Sequence, residues 1–389
     1  MPAAEYMRDM VARSSFIRKM FEEGIKLKAQ FGPENVFDFS LGNPDLPPPP
    51  QFKTTLRDLV EEMDGHGYMP NPGWPQVRTA VAEYLTREQG VELKMEHVVM
   101  TPGAAGGLHV ALKSIFNPGE ELITPAPYFV EYGTYAQISG GKLVTVPTGP
   151  GFGLDPAAVE AALTERTRAV LINSPNNPTG AVYTQEQLEG LARVLEGAKS
   201  RWNRRIYLIS DEPYRKIVYD GLKVPSIFRV YPHTFLVTSY SKELSLAGER
   251  IGFVAVHPQA EDVGELCQVM VIANRIFYVN APSMMQLAVG RLQGVCVDVS
   301  VYQRRRDIFY EGLIRAGYQV EKPGGAFYLF PKSPLPDDVA FTGLLKEERI
   351  LVVPGSGFGG PGYFRISYAV PDRTISASLE GFRRALEKA

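Results

Sequence analysis

Seven short runs dense in Val, Ile and Leu, at 97–101, 121–125, 142–147, 169–174, 205–211, 235–241 and 251–256, punctuate the middle of this chain. Several are apolar at nearly every residue. Because successive strand residues point to opposite faces, such strands need cover on both sides. Longer amphipathic segments separate most of them. One starts at Pro75, carries Val77, Val81, Tyr84 and Leu85 on one side, and stops at Gly90. Proline presets the first-turn φ there, and glycine tolerates the left-handed exit. Another follows the capping box Thr184-x-x-Gln187, with Leu188, Leu191 and Leu195 behind it. A third fills 106–116 and ends at Asn117-Pro118-Gly119. Strand–helix alternation of this kind predicts an α/β fold, a mainly parallel seven-stranded sheet covered by helices.

After about residue 290 the pattern changes. A charged helix near 300–316 leads into AFYLFPK, RILVVPG and YFRISYA, and a closing helix starts at Thr374. These runs predict a smaller α+β domain. A helix over about 5–30 is cut off from the sheet by the Pro-rich run 43–50, and packs more readily with the C-terminal unit. The expected division is an N-terminal arm over 1–45 that joins the small domain, a large domain over 46–290, and a small C-terminal domain over 291–389.

Charge narrows the function. Lys and Arg total 41 against 43 Asp and Glu, a formal charge of −2 with no basic tail, so the concentrated positive field that nucleic acid requires is missing. No apolar run reaches membrane-helix length, and the opening residues 1–15 lack a signal-peptide core. Cys267 and Cys296 are too few for a disulfide framework and show no metal-ligand spacing, which fits a reducing, cytoplasmic setting. The five histidines form no metal motif, so no catalytic metal is expected. Gly355-Ser-Gly357-Phe-Gly-Gly360 matches the dinucleotide fingerprint, but Pro361 and the alternating YFRISY follow it where a helix is required.

Ligands of open parallel sheets bind at the carboxyl ends of the strands. Asp211 and Tyr214 follow one such end, Asn177 another, and Ser239, Ser241 and Lys242 a third, with Arg250 eight residues on. The glycines of TPGAAGG follow strand 97–101 where a helix begins, and backbone N–H groups at a helix N-terminus suit an anion such as phosphate. A lysine, a carboxylate, a phenol and a phosphate cradle together suggest a cofactor joined to the lysine as an imine. A carboxylate against a pyridine nitrogen would keep that ring cationic and electron-withdrawing.

Nine segments carry this further: Gly42-Asn43-Pro44-Asp45, Tyr68-x4-Gly73-x4-Arg78, Thr101-Pro102-Gly103-Ala104-Ala105, Pro127-Tyr128-Phe129, Asn176-Asn177-Pro178-Thr179-Gly180, Asp211-Glu212-Pro213-Tyr214, Ser239-x-Ser241-Lys242-x7-Arg250-x-Gly252, Pro323-Gly324-Gly325-Ala326-Phe327 and Phe364-Arg365-Ile366-Ser367. In this order, from about residue 39 to 370, they resemble the class I/II pyridoxal-5′-phosphate-dependent aminotransferases of fold type I.

The resemblance implies roles. Lys242 carries the cofactor and moves protons, Asp211 pairs with its ring nitrogen, and Tyr214 and Asn177 donate to its phenolic oxygen. Phe129 stacks on the ring. Ser239, Ser241, Arg250 and the backbone of Gly103, Ala104 and Ala105 hold the phosphate. Tyr68 reaches the phosphate of a neighbouring subunit, which implies a homodimer with shared active sites. Arg365 and Gly42 take the substrate α-carboxylate, with Asn177 beside them. Arg275 is a candidate for a distal carboxylate across the dimer, its alternative being a surface position at a helix end.

The implied reaction moves an α-amino group to a 2-oxo acid, 2-oxoglutarate by family habit, in a ping-pong cycle, with aspartate as one candidate donor. The rivals are a β-lyase of the same fold and a cofactor-binding regulatory protein.

Overall fold

The computed structural model describes residues 7–8 and 16–389. Its strands are β1 (Phe37–Asp38), β2 (Val98–Thr101), β3 (Glu121–Ala126), β4 (Lys142–Pro147), β5 (Thr167–Asn173), β6 (Tyr207–Asp211), β7 (Thr234–Ser239), β8 (Gly252–Val256), β9 (Tyr328–Leu329), β10 (Ile350–Leu351), β11 (Val353–Pro354) and β12 (Phe364–Ser367). All seven runs singled out in the sequence become β2 to β8. They form one sheet in the order β2-β8-β7-β6-β5-β3-β4.

β8 alone in that sheet runs against its neighbours, pairing antiparallel with both β2 and β7. The reason lies in residues 240–251, which form turns and a short 3₁₀ segment (Ala247–Glu249) and contain no α-helix to carry the chain across a sheet face. A parallel return requires such a crossover, so the chain doubles back. The reversal places Lys242 and Arg250 on one tight connection at the carboxyl edge of the sheet.

The near-continuous apolar strands serve two cores. Met100, Val170, Ile172, Leu208 and Leu236 face the helices Pro75–Gln89, Gln185–Trp202 and Ser283–Arg291. Val99, Leu171, Ile209, Val237 and Val254 face the helices Gly103–Ile115 and Val263–Tyr278. Burying one Leu or Ile this way stabilises by about 1.5–3 kcal/mol, so both faces contribute heavily. Expected caps are present. Pro75 opens its helix, Gly90 closes it at φ 67°, and Thr184 and Gln187 bond reciprocally at the start of theirs.

A third core joins both ends of the chain. Phe39 packs with Phe309, Phe327, Ile350, Ile366 and Phe382. β1 pairs in parallel with β10, and the Ser367 N–H donates to the carbonyl of Phe39. The expected N-terminal helix is seen from Phe16 to Phe31, and most of its first part, residues 5–15, lies outside the described residues. The run RILVVPG divides into β10 and β11, which pair in different sheets. The helix expected over 106–116 begins earlier, at Gly103, whose φ of +75° lets the chain turn straight from β2 into the helix. Among the described residues, no helix is long and apolar enough to cross a membrane, and no group of three potential metal ligands converges.

Candidate functional site

Strand pairing aligns the polar residues at one edge of the sheet. Asn173 of β5 is level with Asp211 of β6, and Ser239 of β7 and Thr101 of β2 both face Gly252 at the start of β8. Above this edge is a cavity of about 340 Å³, ample for a small cofactor and part of a substrate. Gly42, Ala104, Ala105, Phe129, Asn177, Asp211, Tyr214, Ser239, Ser241, Lys242, Arg250 and Arg365 line it. Residues more than 300 positions apart in sequence thus share one chamber.

Lys242 is part-buried, and its ammonium donates to the Gly42 carbonyl at 2.7 Å. The rings of Phe327 and Tyr214 flank it at 5.4 and 5.8 Å. Burial, helped by the positive charges of Arg365 and Arg250, lowers its pKa to about 7. An amine with that balance is a usable nucleophile and proton carrier near neutrality.

Asp211 presents the opposite case. Its Oδ2 accepts from the Tyr132 hydroxyl at 2.5 Å, whereas Oδ1 is buried with no hydrogen-bond partner among the described residues. Burial pushes this carboxyl up to about 7, although the Tyr132 bond works the other way. A buried carboxylate oxygen with no donor costs about 1–3 kcal/mol or more, and a cationic ring N–H is the kind of donor that would satisfy it.

On the side of the helix Gly103–Ile115, the main chain is packed too tightly for side chains. A Cβ on Gly103 would come within 2.8 Å of Arg250 Nη2, and one on Gly252 would overlap the Thr238 carbonyl and lie 2.9 Å from the Gly103 carbonyl carbon. The helix N-terminus, Arg250, Ser239 and Ser241 together make a cradle suited to a dianion. Gly252→Ala is expected to destabilise the fold by about 1–3 kcal/mol through overpacking and to loosen this cradle. Thermal unfolding with and without added inorganic phosphate checks both effects.

At the other end, Arg365 is 2% exposed. Its Nη1 donates to Asn177 Oδ1 at 3.0 Å and its Nη2 to the Ser40 carbonyl at 2.6 Å, while Nε is buried with no partner among the described residues. The rings of Phe358 and Tyr328 lie 4.6 and 4.8 Å from its guanidinium carbon. Two anchors fix the guanidinium, and its remaining donors are free for a carboxylate. The Asn177 carbonyl is occupied by this bond, which leaves its NH2 as the donor.

Two sequence candidates stand apart. Tyr68, 94% exposed, and Arg275, also exposed, do not line the cavity of their own chain. The segments that carry them meet, since Asn274 and Asn280 donate to the carbonyls of Asn71 and Pro70. Four residues went unnoticed in the sequence: Tyr132, Tyr135, Tyr328 and Phe358. Tyr132 is three residues from Phe129 in an exposed-looking aromatic run, and Tyr328 directly follows the Gly-Gly-Ala-Phe landmark, so proximity to a landmark was the available signal. For Phe358 it was hidden in the glycine-rich loop. That loop forms a 3₁₀ turn and then β12, with no helix, and Gly355 is required there because a Cβ would overlap the carbonyl of Gly360.

The chain matches the family described as aminotransferase class I and II over residues 34–382. It is 32% identical to the aspartate aminotransferase of Pyrococcus horikoshii, covering 98% of this chain and 96% of the relative. The aspartate/prephenate aminotransferase of Thermus thermophilus is 36% identical, with 90% of each chain covered. Among solved structures, an amino transferase from Eubacterium rectale superposes with a TM-score of 0.97 at 42% identity, over 100% of this chain and 99% of the other. The aspartate aminotransferase of Thermus thermophilus with maleate gives 0.88 at 32%, over 99% and 100%.

Proposed function

This chain belongs to the class I and II aminotransferases, and from that premise we propose that it is a pyridoxal-5′-phosphate enzyme moving the α-amino group of an amino acid to a 2-oxo acid, with Lys242, Asp211 and Arg365 as its working residues. The observation that carries the proposal is the buried, partnerless Oδ1 of Asp211 facing the same cavity as the near-neutral amine of Lys242. When bound, the cofactor supplies an electron-withdrawing ring that makes the substrate α-carbon acidic.

The residues divide the work. Gly103, Ala104, Ala105, Ser239, Ser241 and Arg250 hold the phosphate. Both residues after Gly103 are alanine, so backbone N–H groups carry more of that contact. Asp211 keeps a proton on the ring nitrogen, and Tyr132 keeps Asp211 in place. Tyr214 and the Asn177 NH2 face the phenolic oxygen, and Phe129 covers the ring. Arg365, with the backbone at Gly42, orients the α-carboxylate. Lys242 Nζ would take the α-proton and deliver a proton to the cofactor's former aldehyde carbon, on the far side of the linking nitrogen, alternating between neutral and charged forms. Run once with a donor and once backwards with an acceptor such as 2-oxoglutarate, these steps give ping-pong kinetics.

Tyr68, Ile272, Ile276 and Val279 form an exposed, largely apolar face beside the 68–72 segment, which supports a homodimer in which Tyr68 and Arg275 serve the partner's site. The cores support a division at 1–45, 46–290 and 291–389, the first and last forming a unit that closes on the substrate. A cytoplasmic location completes the reading.

The test is a screen of amino donors against 2-oxoglutarate with pyridoxal phosphate present. Transfer that requires the acceptor supports transamination, while acceptor-independent release of pyruvate and ammonia would point to a lyase. Aspartate is the donor favoured by the relatives' names. Arg275→Ala is expected to raise the Michaelis constant for aspartate about tenfold or more and leave that for alanine nearly unchanged. Equal effects on both would remove the distal-clamp role.

A further inference from the structure

Tyr328 lies at the meeting point of the site. Its ring sits against the Arg365 guanidinium, with 4.8 Å from carbon to ring centre, and its hydroxyl is 2.7 Å from that of Tyr214. Gly42 has no side chain to spare at this point, because a Cβ there would overlap the Tyr328 hydroxyl. The same Gly42 offers its carbonyl to Lys242. Both phenols are buried, at 4% exposure for Tyr214 and 1% for Tyr328.

A phenol has a single O–H to donate. If Tyr214 spends its proton on the cavity, the short contact with Tyr328 survives only if Tyr328 is the donor and the Tyr214 oxygen the acceptor. The geometry favours that direction, because the Arg365 guanidinium lies 4.8 Å from the Tyr328 ring centre and a cation on that ring makes its hydroxyl the better donor. Burial raises both phenols above their ordinary range. A hydroxyl that accepts a hydrogen bond donates its own more strongly.

We propose that Tyr328 is a positioning residue for the cofactor: by donating to Tyr214 it aims the Tyr214 hydroxyl into the cavity and strengthens its bond to the cofactor's phenolic oxygen. This rests on the pyridoxal phosphate reading above. Charge drawn from that oxygen lowers the basicity of the nitrogen linking Lys242 to the cofactor, so Tyr328 sets the pH at which the holoenzyme's visible band changes. The other ionisable groups facing Tyr214 are Lys242, Asp211 and Arg365, and all three side chains are retained when one oxygen is removed from Tyr328.

The experiment is a pH titration of the visible absorbance of purified holoenzyme. Tyr328→Phe keeps the ring against Arg365 and removes only the hydroxyl. The expected result is an upward shift of the midpoint by about 0.5–1 pH unit, a three- to tenfold gain in proton affinity. Tyr214→Phe should shift it further in the same direction, and adding Tyr328→Phe to Tyr214→Phe should then shift it no more. An unchanged midpoint in Tyr328→Phe, or an equal shift with Tyr214 already replaced, overturns the proposal and leaves the cofactor assignment standing. A wild-type protein that never acquires the visible band with pyridoxal phosphate overturns both. Should Tyr328→Phe fail to fold, Tyr328→His takes its place; its ring N–H retains a donor, and a midpoint as high as that of Tyr214→Phe counts against the proposal.

Discussion

Lys242→Ala should lower turnover by at least about 10⁴-fold, because it deletes both the proposed covalent attachment point and the proposed proton carrier. Among the described residues, no other lysine lines the cavity. The cradle of Gly103, Arg250, Ser239 and Ser241 is untouched, so pyridoxal phosphate should still bind, but borohydride should no longer fix it to the protein. Mass spectrometry of the reduced wild type should find the adduct on Lys242. Residual multiple turnover in the variant would show the proton carrier to be misassigned. The amine's pKa near 7 adds a pH signature. Since the neutral amine is the nucleophile, capture of pyridoxal phosphate by cofactor-free enzyme should speed up as pH rises through about 7 and then level off. Stopped-flow absorbance reads this directly.

Asp211→Asn should lower kcat/KM by about 10²–10⁴-fold while preserving the fold. Asparagine has the same shape and can still accept from Tyr132, so the loss isolates the negative charge that holds the ring nitrogen protonated. Stability should respond in the cofactor-free protein. The carboxyl titrates near 7 when folded and near 3.8 when unfolded. The folded state therefore binds the proton more tightly between those values. This stabilising contribution is complete below about 4 and is lost as pH rises through about 7. Removing the carboxyl should flatten the fall of Tm across that window, which calorimetry at several pH values measures. A steep fall retained in Asp211→Asn would mean that another group carries it.

Much of this was readable without coordinates. The seven strands and the caps at Pro75, Gly90 and Thr184 follow from local rules, because apolar periodicity and turn chemistry act over a few residues. Of the twelve sequence candidates in the cavity wall, strand ends and the glycine loop point to nine, and Gly42, Phe129 and Arg365 came through the family resemblance alone. Aromatic roles resisted. Tyr132 and Tyr328 sit in aromatic runs beside packed residues such as Leu329, and nothing local tells a packed ring from one whose hydroxyl holds a carboxylate or another phenol. The split of RILVVPG between β10 and β11 was equally hidden, because β10 takes its partner β1 from the other end of the chain while β11 pairs with the nearby β12.

By itself the amino-acid order determined which groups are present and at which strand ends they stand: an amine, an acid, a guanidinium and a glycine-bounded helix start. Tertiary structure decided their protonation and their neighbours. Burial in one chamber brings Lys242 and Asp211 toward the same pH, leaves Asp211 Oδ1 without a donor, and sets the Tyr328 hydroxyl on Tyr214. Desolvation and hydrogen-bond direction depend on the atoms packed around a group, and those atoms come from segments that only folding brings together.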